Sequence, residues 1–346
     1  MPNGNTNSLG FSDNVCGSRT RMLEIFQSLK KSYTKKKQYR MQKSKNKSYS
    51  FLKNDVFPDK ISPYTHFIPR KIWQTCKDKS SMQPQLLDCV FELKEMNSNW
   101  EHTLFDDKSQ YEYIKSVCSN RFLEAYERIH PLFGAPRADL FRYLIVFLHG
   151  GAYFDLKSGT ARPLDDILIS DDSFIISQWD NGPGGKFPGG GIKPQLRNIP
   201  GGEYEQWNII AAPRHPFLAA VIEQVLTNIE SYNAVSFGHG AKGCLNVFGP
   251  HAFTLAIQPL LKEFPHRKII SWTEGIKYTM FEGDDKHYNL DPLHYSRHVI
   301  APVTSSGLTG WKRIKYWLAE FAIWPLSRLR ILNYRRLQKR QQNKFD

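Results

Sequence analysis

The chain has 346 residues, 40% hydrophobic and 13% aromatic, which suffices for one large core with smaller additions. Its formal charge of +14 sits at the ends: Lys30–Lys47 holds nine basic residues and no acid, and Trp311–Lys344 holds ten against Glu320 alone. The remainder keeps 28 of the 47 basic and 32 of the 33 acidic residues, which excludes a nucleic-acid reader whose fold is itself basic.

A near-neutral body with cationic ends suits an anionic membrane face or a polyanion, without specific nucleic-acid recognition. The five cysteines (Cys16, Cys76, Cys89, Cys118, Cys244) form no CxxC pair. They argue against a disulfide framework or zinc site and for reduced thiols in a cytosol-like compartment. No run of about 18 apolar residues is present, so no transmembrane helix is expected. The N-terminus lacks the apolar core of a secretory signal. The expected location is the cytoplasm, or the cytoplasmic face of a membrane as a peripheral protein.

Residues 1–58 are polar and basic, and are expected to be a disordered tail. Phe67–Gln74 reads as a first buried strand, with Pro69 confined to its edge or start. Leu86, Leu87, Val90 and Leu93 recur at helical spacing, Trp100–Phe105 suits a second strand, and a helical region spans Gln110 to Ile129. Pro136 suits a first helical turn, Leu140, Leu144, Phe147 and Leu148 mark one stripe, and Gly150-Gly151 ends that helix. Short strands are expected at Tyr153–Leu156 and Phe174–Gln178.

Asn181–Gly202 is too glycine-dense for a packed element and reads either as a lid or as a flexible insertion. A helix begins at Pro216 with Leu218, Val221, Ile222, Val225 and Ile229 on one face. Trp311, Ile314, Leu318, Phe321 and Ala322 give a last helical stripe, Pro325 interrupts it, and a basic helix resumes through Leu337. Aromatics beside Lys and Arg on such a helix suit either an interfacial membrane anchor or a helix packed on the domain. Strands alternating with helices indicate an α/β architecture. The expected organisation is a tail at 1–58, a catalytic domain at 59–305 and an amphipathic segment at 306–346.

Chemistry concentrates between Pro136 and Asp165. Asp139 and Arg142 lie three apart, on one face of a helix that is apolar nearly all round. That spacing fits a structural ion pair as well as a binding site. Asp155 and Lys157 stand two apart at a strand's end, where extended structure points both to one side. Small-molecule sites of α/β sheets collect at the carboxyl ends of strands. A carboxylate there can bind sugar or ribose hydroxyls or a divalent cation, and a lysine can meet a phosphate.

Ala138-Asp139-Leu140-Phe141-Arg142-Tyr143, followed by Gly150-Gly151-Ala152-Tyr153-Phe154-Asp155-Leu156, resembles glycosyltransferase family 32, the Och1-like mannosyltransferases and their relatives. Three further pieces agree in order: Ile68–Thr75, Trp207–Phe217 and Phe248-Gly249-Pro250. The resemblance implies a GT-A fold, a Rossmann-like open mixed sheet flanked by helices. The implied activity is transfer of a hexose or N-acetylhexosamine from a UDP- or GDP-sugar to a glycan or lipid-linked hydroxyl, with retention of configuration. It places Asp139, Arg142 and Tyr143 around the donor sugar and Asp155 on ribose or sugar hydroxyls and a metal, Mn²⁺ or Mg²⁺. It sets Trp73 on the strand that meets the nucleobase and turns Asn208 toward the donor.

Where the family's D-x-D motif has its second carboxylate, this chain has Lys157, in Asp155-Leu156-Lys157-Ser158, and one subgroup shows the same D-x-K-S. A lysine has no lone pair for a cation when charged, and repels one. Three readings stand open: Lys157 itself offsets the leaving diphosphate, a metal binds through Asp155 and the diphosphate, or catalysis is lost. Two other functional classes remain beside transfer, an inactive sugar-nucleotide or glycan binder and a polyanion-binding module acting through the tails. His287, His294 and His298, with Asp284 and Asp285, read as loop or surface residues rather than ligands, and Asp165 and Asp166 as helix caps.

Overall fold

The computed structural model describes residues 65–281 and 298–323, all within one compact unit, Ser48–Asp346. The expected N-terminal tail, His287, His294, Asp284, Asp285 and the basic segment beyond Ile323 lie outside the described residues. Six strands form one sheet: β1 Lys71–Thr75, β2 Glu101–Phe105, β3 Gly151–Phe154, β5 Phe174–Gln178, β6 Asn208–Ala211 and β7 Arg267–Ile270. Their order is β2-β1-β3-β6-β5-β7. A second sheet of two strands pairs β4 Gly159–Thr160 with β8 Ile276–Lys277.

β1 runs parallel to β2 and β3, β5 parallel to β7, and β6 antiparallel to both β3 and β5. Five strands therefore end on one edge of the sheet, beside the start of β6. This is the Rossmann-like open mixed sheet flanked by helices that a GT-A fold implies. Phe154 pairs with Asn208, so Asp155 leaves the sheet next to the chain entering β6.

The helices used below are α1 Pro84–Met96, α2 Asp107–Val117, α3 Asn120–Glu127, α4 Gly134–His149, α5 Pro216–Glu230, α6 Gly240–Val247, α7 Pro250–Ile257 and α8, residues 310–323. Alternation along the strands divides the core between the two sheet faces. Ile72, Ala152, Phe154 and Ile210 pack with Leu93 of α1 and Trp100, whereas Trp73 and Tyr153 point the other way, toward α4. Every residue of α4 from Asp139 to Phe147 is buried, as an all-round apolar sequence requires.

The helical region expected over Gln110–Ile129 consists of two helices, because the chain turns extended at Cys118 and Ser119 between α2 and α3. Asp165 and Asp166 are not caps: they lie inside the helical turn Leu164–Ile167, behind Pro163. The Asp165 carboxylate instead accepts from Arg70 Nε (3.0 Å) and Trp100 Nε1 (3.1 Å), tying the entry of β1 to β2. Among the described residues no helix is long and apolar enough to cross a membrane.

Gly150-Gly151 turns α4 into β3 with φ of 67° and 97°, the left-handed region. A Cβ on Gly151 would lie 2.4 Å from the Lys71 carbonyl oxygen. Gly151→Ala is therefore expected to cost about 2 kcal/mol or more, read as a lowered denaturant midpoint in equilibrium unfolding.

Candidate functional site

Arg142, in the second turn and a half of α4, is the centre of the cluster at the sheet's carboxyl edge. Its guanidinium meets Asp155 Oδ1 at 2.9 Å and Asp139 Oδ1 at 3.2 Å. It also donates to the Gln206 carbonyl and Oε1, both at 2.8 Å, and to the Ala138 carbonyl at 3.2 Å. The planar fork lies over the Tyr153 ring at 4.5 Å. Buried ions are tolerated when donors and acceptors are matched in this way. Burial works against the arginine's charge, but Asp155 and the neighbouring groups outweigh it and raise its pKa further.

Gln206 Nε2 donates to Asp139 Oδ1 (3.1 Å), and the Tyr143 hydroxyl reaches the Phe248 carbonyl (2.8 Å) and Gln206 Oε1 (3.3 Å). Burial lifts the Asp139 carboxyl to about 6 even against the attraction of Arg142. Asp155 is the accessible member, with 28% of its side chain exposed. Its Oδ1 also accepts from Tyr153, whose hydroxyl pairs with Thr75. Gln74 Nε2 holds the Asp155 carbonyl at 3.3 Å. One oxygen of Asp155 is thus occupied within the protein.

Lys157 stands two residues on, in a turn clamped by the small sheet. Met280 N–H donates to its carbonyl (2.7 Å), and Ser158 Oγ donates to the Tyr278 carbonyl (2.8 Å). The ammonium lies 3.8 Å above the Tyr278 ring. Burial lowers its pKa to about 8; Asp155 opposes that shift and Arg142 adds to it. Trp179, Trp207 and Phe187 join Tyr278 in an aromatic wall, with ring separations of 5.0 to 6.3 Å to the tyrosine.

The glycine-rich stretch is folded onto that wall. Asn181 Nδ2 binds the Gly190 and Gly201 carbonyls (2.7 and 2.9 Å), and Asp180 accepts from the Lys186 N–H (2.8 Å). These bonds set Phe187 against Trp179 and hold Lys186 5.0 Å above Trp272, which is 37% exposed.

Among the residues expected from sequence, Asp139, Arg142, Tyr143 and Asp155 meet in one bonded cluster, with Lys157 on its flank. Trp73 does not join them. It is only 6% exposed and gives its indole N–H to the Gly150 carbonyl (2.8 Å), at the opposite edge of the sheet. Asn208 turns inward, accepting from Ser177 (2.8 Å) and donating to Glu205 (3.2 Å), and takes no part in the Asp155 cluster. His298 sits with its ring 4.9 Å from Phe133. An open cavity of about 510 Å³ lies by Phe105, Asp106 and Tyr113, and includes none of the clustered residues.

Sequence reading missed Gln206, Glu205 and Tyr278. Gln206 and Tyr278 lie 64 and 121 positions from the residues they serve, beyond any local spacing. Tyr153 had a signal, since it alternates with Asp155 on one strand face.

Residues 83–174 match the glycosyltransferase sugar-binding region containing DXD motif. The initiation-specific alpha-1,6-mannosyltransferase of Candida albicans is 25% identical over 288 residues, 75% of this chain and 72% of that protein. Its Schizosaccharomyces pombe counterpart is 23% identical over 58% of this chain and 50% of its own length. Mannosyl phosphorylinositol ceramide synthase SUR1 of Saccharomyces cerevisiae is 31% identical over 34% of this chain and 30% of its own. Among solved structures, PaToxG glycosyltransferase superposes with a TM-score of 0.42 and 14% identity, over 67% of this chain and 79% of that one.

Glu205 carries a pH dependence of its own. Buried against Ser271 and Asn208, its carboxyl is raised by burial from 4.5 to about 8. The folded state therefore holds a proton that the unfolded chain releases. Its contribution to stability is full below pH 4.5 and lost as pH rises through about 8. Glu205→Gln should remove this decline, so the variant's melting temperature gains on the wild type between pH 5 and pH 8.

Proposed function

We propose that this chain, whose residues 83–174 match the glycosyltransferase sugar-binding region containing DXD motif, is a glycosyltransferase that moves a mannosyl group from a nucleotide sugar to a glycan or lipid-linked hydroxyl. The observation that carries the reading is the partly exposed Asp155 at the sheet's carboxyl edge, flanked by the buried Asp139–Arg142 pair and by Lys157. The names of the relatives support the sugar, and two of them supply the acceptor class: SUR1 is a mannosyl phosphorylinositol ceramide synthase, and an S. pombe relative is an inositol phosphoceramide mannosyltransferase. Other hexoses and N-acetylhexosamines, on UDP or GDP, are the competing donors.

In this reading the free oxygen of Asp155 holds sugar or ribose hydroxyls. Arg142 bonds and aims that carboxylate, while Asp139 and Gln206 hold Arg142 and Tyr143 braces Gln206. A divalent cation does not fit the donor set: one carboxylate already serves an arginine, and an ammonium stands where a second would be. Among the described residues no group of three or more His, Cys, Asp or Glu could hold a metal. Lys157 instead supplies the positive charge that the departing diphosphate requires. The bond from the anomeric carbon to the diphosphate oxygen breaks, and the acceptor oxygen bonds on the same face. The acceptor proton passes to a diphosphate oxygen, and configuration is retained. Trp272 and Lys186, at the open end of the aromatic wall, offer the acceptor an aromatic face and a cation. An anionic membrane face is where a lipid-linked acceptor would be met.

Thermal shift against a panel of UDP- and GDP-sugars identifies the donor, because a ligand of the folded state raises its melting temperature. Asp155→Ala should lower transfer by about a hundredfold or more, and near-normal turnover would remove its assigned role. Lys157 is charged below about pH 8 and neutral above it, so kcat/KM should fall on that alkaline side. Lys157→Asp should replace this limb with a response to Mn²⁺ that EDTA abolishes; a metal response unchanged from wild type would count against the ammonium.

A further inference from the structure

Helix α8 shows one face to the fold and a different one to solvent. On the docked side, Tyr316 is buried and donates its hydroxyl to the Val303 carbonyl (2.9 Å), and Glu320 meets His239 Nε2 at 3.0 Å. Opposite stand Trp311, Ile314, Trp317, Leu318 and Phe321, exposed by 63, 48, 55, 59 and 78%. At 3.6 residues per turn these five fill one continuous arc of roughly 120°. Arg313 falls at one border of the arc and Lys315 at the other, with Lys315 Nζ 5.8 Å above the Trp311 ring. Exposed apolar residues on a monomer are ordinarily scattered, and a contiguous row of five, two of them tryptophan, marks a surface for contact.

We propose that this face of α8 is an interfacial membrane-docking face that lies in the headgroup region of an anionic bilayer. Three observations select a lipid surface over a protein partner. The charges border the apolar arc on both sides, so the rings can enter the acyl boundary while the cations stay with the headgroups. Within residues 310–323, Lys312, Arg313 and Lys315 stand against Glu320 alone, and Glu320 is already engaged by His239. The sequence beyond the helix adds seven more Lys and Arg before its only acid, Asp346. Each such cation near an anionic leaflet adds to binding.

The attachment of α8 also links it, through α4, to the working edge of the sheet. Val303, which anchors Tyr316, pairs with Ile129, and the neighbouring segment is bonded to His130 and Arg128. These residues lead directly into the amino end of α4, and α4 carries Asp139 and Arg142 toward that edge before ending at Gly150 on the other. α8 is thus tied to the segment that leads into the helix carrying Asp139 and Arg142.

The test uses the full chain with sucrose-loaded vesicles of phosphatidylcholine alone or mixed with phosphatidylserine. Sedimentation should be strong with the mixed vesicles and weak with phosphatidylcholine. The double variant Leu318→Glu, Phe321→Glu should lose about tenfold or more in partitioning. Its thermal melt and donor-induced shift should be unchanged, because both side chains are exposed. Equal binding by the variant would place any membrane contact elsewhere and overturn the proposal. So would a wild type that ignores both vesicles, or one that dimerises through this face, with the variant monomeric and neither form binding lipid. The proposal rests on α8 and the basic sequence after it and not on the donor cluster, so a failed vesicle assay leaves the donor reading standing, and a failed donor screen leaves this one.

Discussion

The guanidinium of Arg142 is the constraint on which the edge of the sheet depends. It is buried, and its donors are shared among two carboxylates, a backbone carbonyl of its own helix and both acceptors of Gln206. An unpaired charge at that depth would be strongly destabilising, so the partners fix one another's positions. Arg142 is on α4, Asp155 follows β3, and Gln206 precedes β6. The same contact therefore joins a helix to the two strands between which the sheet reverses direction. Site geometry and fold geometry are here one network.

That network also divides labour between carboxylates that look alike in sequence. Asp139 is enclosed, bonded to Gln206 and raised toward neutrality by burial. Asp155 gives one oxygen to Arg142 and Tyr153 and keeps part of its surface open. Lys157 has a third environment: the Met280 N–H donates to its carbonyl and the Ser158 hydroxyl to the Tyr278 carbonyl, which sets its turn, and an aromatic face lies under its ammonium. A cation held over a ring and, among the described residues, in no ion pair stays available to an incoming anion. The small β4–β8 sheet, which buries Ile276 in the core, lies at the place where that turn is held.

Much of the architecture was legible because it follows from short-range rules. β2 and β5, the Gly150-Gly151 break, the start of α5 at Pro216 and the stripe of α8 were readable from periodicity, proline and glycine. The bonded group of Asp139, Arg142, Tyr143 and Asp155 lay within 17 consecutive residues, and its joint placement could be anticipated. What spacing alone did not give was direction. Trp73 was assigned to the correct strand, but alternation turns its ring toward α4 and its N–H toward Gly150. Asn208 likewise starts β6 at the correct edge, yet a buried glutamate and serine claim its side chain. Strand identity survives in sequence, while the choice between two faces depends on partners scores of residues away. Gln206 and Tyr278 were missed for the same reason.

The glycine-rich stretch shows how composition can mislead about order. Its density of glycine suggested a choice between lid and loose insertion. In the fold, glycines supply the positive φ of a chain that doubles back on Asn181 and Asp180. Gly191 is packed so closely that a Cβ would lie 2.5 Å from the Trp179 ring. Here glycine permits close packing and not merely freedom. The loop delivers one aromatic, Phe187, and one cation, Lys186, to the wall beside Lys157, the same pairing of ring and ammonium found at Lys157 and Tyr278. Repetition of that pairing along one wall gives the open side of the cluster a positive, aromatic character that the near-neutral body as a whole lacks. The surface charge that matters to a phosphate-bearing ligand is therefore set locally by folding, and a net count over the chain does not reveal it.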